Sequence, residues 1–154
     1  MNTKTSILVL LVAALFPTAA WAQDVRLTVP DQRDHLRKMT EELIALSKAR
    51  DADAKVDLFL KHGEERAKEL ETMQTQGTTT HHDALGRSYY DHITTGAAGA
   101  IENGAAKGKD MSGAVGRCAQ ATSKHTAVLE RVLANAPPAA RKGLLNAIAA
   151  SQHG

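Results

Sequence analysis

The chain has 154 residues, 43% of them hydrophobic and 23% charged, with 19 Lys and Arg against 17 Asp and Glu. A balance this close to neutral excludes a binder of nucleic acid or anionic lipid that works through bulk positive charge. The length fits a single domain.

Residues 1–22 read as a secretory signal peptide. Lys4 gives a positive start, Ile7 to Phe16 an apolar run, Pro17 a break, and Ala20-Trp21-Ala22 a small-x-small cleavage site. The run is too short for a bilayer, which takes about 20 residues. Cleavage would leave residues 23–154 as one helical domain. Position 23 is Gln, so no lipid-anchoring Cys follows the cleavage site. No second apolar stretch long enough to span is found, so the mature chain is expected to be periplasmic or secreted, without membrane insertion.

Residues 23–30 read as an extended segment, because Val29 before Pro30 is pushed away from helical angles. Asp31 can then cap helix A, which runs to about Ala49 with an apolar stripe of Leu36, Met39, Leu43 and Leu46. Asp53 is the expected N-cap of helix B, about Ala54 to Gln76. Val56, Phe59, Leu60, Gly63, Ala67, Leu70 and Met73 mark its buried face. Glu64, Glu65, Arg66, Lys68, Glu69 and Glu71 are expected on a solvated face, with Glu64–Lys68 and Lys61–Glu65 as i,i+4 pairs. Gly77 ends the helix.

Helix C is expected from Thr80 or His81 to about Ala106, with Leu85, Tyr89, Ile93, Ala97, Ala100 or Ile101, and Gly104 inward. Small residues between Gly96 and Ala106 permit close approach of a neighbour and weaken the helix. Helix D spans about Met111 to Asn135, with Met111, Val115, Cys118, Thr122, His125 or Thr126, Leu129, and Val132 or Leu133 inward. Pro138 suits the first turn of helix E, whose stripe is Ala140, Leu144, Ile148 and Ser151. The fold class is all-α: an antiparallel bundle of about four to five helices. After cleavage only Phe59, Tyr89 and Tyr90 remain as aromatics, so Leu, Ile, Val, Met and Ala must build the core. Such a core suits close-packed helices and offers no large apolar pocket.

The chemistry the sequence offers lies in His35, His62, His81, His82, His92 and His125. Neutral imidazole is the commonest metal ligand. No two of these stand at i,i+3 or i,i+4, and there is no His-Glu-x-x-His or Cys-x-x-Cys pattern. His92 and His125, on or beside the inner stripes of helices C and D, are the pair that could meet. His81-His82 reads as a polar cap of helix C. Ser88, Ser112 and Ser123 sit in helical patterns without a nucleophile elbow, so no catalytic residue is assigned and no cofactor is expected. Cys118 reads as a buried helical residue; its alternative role is an intermolecular disulfide.

Several strings, taken together, resemble an uncharacterised bacterial family, domain of unknown function 5667, over about residues 41–152. These are Glu42-Leu43-Ile44-Ala45-Leu46, the Arg50–Asp53 break, and Gly63-Glu64-Glu65-Arg66-Ala67-Lys68-Glu69-Leu70-Glu71. Tyr90-Asp91-His92, the run His125 to Leu133, and Ala136-Pro137-Pro138-Ala139-Ala140-Arg141 complete the likeness. The chain departs from the family at Gly96–Gly108 and at His81-His82. The resemblance implies an extracytoplasmic helical fold and brings no activity.

Two functions follow from the residues. The first is a non-enzymatic interaction or structural module of the cell envelope. Its partner would be another envelope protein, or a second copy joined through Cys118 or the small-residue face of helix C. The second is a periplasmic metal-binding or metal-sensing protein using His92 and His125.

Overall fold

The computed structural model describes residues 32–78 and 81–153. The expected signal peptide, extended segment and Asp31 cap, together with Thr80, lie outside them. The elements are α1 (Gln32–Lys48), α2 (Ala52–Thr75), α3 (His82–Tyr90), a π-helical segment (Asp91–Ala97), α4 (Ala98–Ala106), α5 (Ser112–Ala134) and α6 (Pro138–His153). The chain is all-α, and no strand occurs among the described residues. None of their helices is long and apolar enough to cross a membrane.

Local chemistry sets the boundaries. Asp51, in extended conformation, accepts from the Asp53 amide at 3.2 Å and starts α2 two residues earlier than Asp53 would. At the other end Gly77 takes φ +68°, and the amides of Thr78 and Gly77 donate to the Met73 and Gln74 carbonyls, a Schellman motif. Gly108 closes α4 in the same way, onto Gly104 and Ala105. Pro138 opens α6.

Helix α3, the π segment and α4 form one continuous rod, since Tyr90 and Ala98 keep right-handed helical angles at both junctions. This rod, α2, α5 and α6 make a four-membered bundle in which successive members run antiparallel. Helices α2 and α5 lie side by side in the same direction: Arg117 at the start of α5 pairs with Asp53 and Asp57, and Arg131 pairs with Glu71. The rod packs on α2 and α6 and stands diagonally across the core from α5. Val56, Leu70, Tyr89, Ile93, Leu129, Val132 and Leu144 fill the centre. Each large side chain buried there contributes about 1.5–3 kcal/mol.

Helix α1 departs from its expected orientation. Leu36, Met39 and Leu43 are exposed, at 57%, 43% and 65%, and Leu46 is half-buried. Lys38 and Glu42 face α2 instead, where Glu65, Arg66 and Glu69 wait. Arg66, expected on the solvated face, is buried. A guanidinium left unpaired there would cost several kcal/mol, so the helix turns its charges inward at the expense of its leucines. Lys38 also takes the Glu65 carboxylate that was expected to pair with Lys61, whereas Glu64–Lys68 forms as expected, at 2.6 Å. On α5, Ala114 is buried in place of Val115, which is 48% exposed.

Candidate metal centre

Three side chains from three elements converge where α1 crosses α2 and the rod. Glu42 comes from α1, His62 from α2 and His92 from the π segment, and one donor atom of each lies within 4.8 Å of both others. Glu42 and His62 are buried and His92 is half-buried. Glu42 Oε2 lies 3.7 Å from His92 Nε2. The π segment positions His92. Its i→i+5 turn is wider than an α turn, and such turns recur at functional sites. Ile93 and Ala97 stay in the core while His92 faces α2. Gly96 sits against Phe59, whose ring a Cβ would strike, and Phe59 meets the His92 ring edge-on at 6.2 Å.

A second layer orients the donors. His92 Nδ1 donates to the Ser88 carbonyl at 2.6 Å, which leaves the Nε2 lone pair for a metal. Glu42 Oε1 accepts from buried Arg66, whose other terminal nitrogen reaches Glu69 Oε2 at 2.5 Å. Lys38 closes the network onto Glu69 at 2.6 Å and Glu65 at 3.1 Å. The His62 ring stands edge-to-face on His92 at 5.5 Å, and its Nδ1 is buried without a hydrogen-bond partner. Burial pushes the His62 pKa below its usual value; Glu42 opposes the shift and His92 reinforces it. A neutral imidazole is the form that ligates.

Two imidazoles and one carboxylate suit Zn2+ and its first-row neighbours, with a fourth position left for water. Ca2+ and Mg2+ prefer all-oxygen shells. Zinc bonds of 2.0–2.1 Å would place tetrahedral donors about 3.3 Å apart, so closure asks the 3.7 Å Glu42–His92 separation to shorten and the His62 donor to draw in from within 4.8 Å of both.

The structure joins His92 to His62 and Glu42, and gives His125 a different neighbour. Tyr89 Oη reaches across the core to His125 Nδ1 at 3.1 Å, because the rod and α5 are diagonal rather than adjacent. Burial raises the Tyr89 pKa and lowers that of His125. Of the expected polar cap, His81 is exposed at the start of α3 without a side-chain capping bond, and His82 is buried in the core. The sequence does not pair Glu42 with His62, since neither has a histidine partner at helical spacing. Of the residues expected to join two copies, several pack within the chain, while Gly99 faces open space. Cys118 is buried, Gly96 packs on Phe59, and Gly104 on Met111 and Ala52.

Compared with protein-family models, curated proteins and solved structures, the chain gives no match.

Proposed function

We propose that this chain is an exported, non-enzymatic helical bundle that binds a divalent first-row transition metal through Glu42, His62 and His92. One observation carries the reading: two imidazoles and a carboxylate from three elements already face one another, with the His92 tautomer set by Ser88. Buried ring nitrogens are normally paired, and ligation would satisfy the His62 ring, whose Nδ1 has no hydrogen-bond partner. Export rests on the leader at residues 1–22, and the resemblance to domain of unknown function 5667 agrees with that location. Material recovered from the periplasm should have the intact mass of a chain that begins at Gln23.

Calorimetry of the purified protein with Zn2+, Cu2+ and Ni2+ tests the metal. The expected result is one site per chain of about 1 μM or tighter, roughly 8 kcal/mol. His62→Ala and His92→Ala should abolish it, and His125→Ala should leave it intact. Absence of binding, or binding lost only with His81, refutes the reading.

The interaction-module reading has one observation in its favour. Leu36, Met39, Leu43 and Ile44 form an exposed apolar row on α1, a surface that another envelope protein could cover.

A further inference from the structure

Helix α1 is attached unlike the rest of the bundle. Among its described side chains only Glu42 is buried, and none belongs to the hydrophobic core. Its links to the body are charged: Glu42 to Arg66, and Lys38 to Glu65 and Glu69. The other helices are held by buried Leu, Ile, Val, Met and Ala. A segment held this way belongs to the low-stability end of a structure, which opens without global unfolding. Helix α1 also supplies one donor of the metal group, while the other two sit on the packed body.

We propose that α1 is a metal-dependent latch: the ion bonds to His62 and His92 on the body and to Glu42 on α1, clamping α1 in its docked position. The inference rests on the metal reading above. A body with α1 detached offers two imidazoles, and the docked state offers those two and a carboxylate. The ion therefore binds the docked state more tightly, and by linkage it raises the docking equilibrium by the ratio of the two affinities. Arg66 and Lys38 act as positioning residues, since they hold Glu42 and α1 in place without touching the ion. The apolar row Leu36, Met39, Leu43 and Ile44 moves with the latch, so metal occupancy fixes where that row is presented.

Hydrogen exchange of the whole protein with and without Zn2+ reads the latch directly. Saturating Zn2+ should slow exchange of the amides in residues 36–48 by roughly 5–150-fold, with little change in the core of α2 and α5. Glu42→Gln should still bind Zn2+ through both histidines, but more weakly, and the slowing in α1 should be lost. The slowing in the parent protein should match the ratio of the two zinc affinities. Lys38→Ala, which removes no ligand, should loosen α1 and weaken zinc binding together. Zinc bound with unchanged α1 exchange, or bound equally well by Glu42→Gln, overturns the latch and leaves the metal site standing. No zinc binding at all overturns both.

Discussion

His92 Nδ1 lies 2.6 Å from the Ser88 carbonyl oxygen, one turn earlier on the same rod. A carbonyl only accepts, so the proton must reside on Nδ1 and the free lone pair of the neutral ring on Nε2. That nitrogen faces Glu42. The backbone of the rod thus selects the tautomer that can ligate, before any ion arrives. Nitrogen NMR of the metal-free protein should find neutral His92 protonated at Nδ1. Protonation at Nε2 would mean that the ring is turned and the donor group is not assembled.

Arg66 is the hinge of the charge network. It is 1% exposed and joins Glu42 to Glu69. Removing one partner of a buried pair strands the other, at about 3–5 kcal/mol, whereas replacing the pair together is often close to neutral. Arg66→Ala should therefore destabilise the fold by about that much in urea unfolding. Glu42→Gln with Arg66→Met should recover most of the loss. If Arg66→Ala is silent, the guanidinium is solvated and α1 is oriented by something else.

The orientation of α1 can be checked by substitution. Leu70 and Leu129 are fully buried, and Leu43 is 65% exposed. An unpaired carboxylate in the core costs several kcal/mol, and a surface change stays within about 0.5 kcal/mol. Leu70→Asp and Leu129→Asp should be severe, and Leu43→Asp mild. Equal damage from all three would return Leu43 to the inner face that its spacing suggested.

That contrast marks where the sequence is legible. Helix ends are written locally, in Gly77 and Pro138, because capping chemistry needs only a few neighbouring residues. The stripes of α2 and α6 are read in the right phase because one face is apolar and the other is not. The phase of α1 is not decided this way, since its apolar row competes with a buried cation on another helix. Arg66 is hidden inside a run of charges whose other members are exposed or half-buried. The candidate centre is less legible still. Its donors come from three elements, and the turn that aims His92 departs from the helical period on which the reading relies. The leading pair, His92 and His125, assumed that the rod and α5 are neighbours, and no local signal distinguishes neighbour from diagonal.

The contact between α3 and α6 is made backbone to backbone. A Cβ on Gly86 would lie 2.6 Å from the Gly143 carbonyl oxygen, and one on Gly143 would lie 2.8 Å from Asp83 Cα. Backbone cannot move aside as a flexible side chain can, so Gly86→Ala should cost about 1–3 kcal/mol or more through overpacking. Gly116 on α5 has open space around its Cβ position. Gly116→Ala should raise stability by up to about 1 kcal/mol, because Ala is the better helix former. Thermal midpoints of the two variants should move in opposite directions. A shift of the same sign in both would place α3 and α6 further apart than they are here.

The final expectation concerns acid. His82 is fully buried, with neither ring nitrogen in a well-formed hydrogen bond, and His125 is buried against Tyr89. Burial holds both imidazoles below their usual pKa. The Leu70 backbone opposes the shift at His82; at His125 Glu64 opposes it, while Lys124 and Lys68 add to it. In the unfolded chain both groups gain a proton near pH 6.5, and in the folded chain they do so only at lower pH. The unfolded state then binds more protons across that interval, so stability rises with pH there and falls as the pH drops below about 6.5. The paired carboxylates Glu64 and Glu65, also held below their usual pKa, lose their contribution only further down. Thermal unfolding should give a midpoint that is level above about pH 7 and declines toward pH 5.5. His62 is held low by burial in the same way, so His82→Leu removes one of three such protonation sites without leaving a buried polar group, and its decline should be shallower than that of the parent. A parent midpoint that stays level over that range would mean that these buried rings take up their protons in the fold as readily as in the unfolded chain.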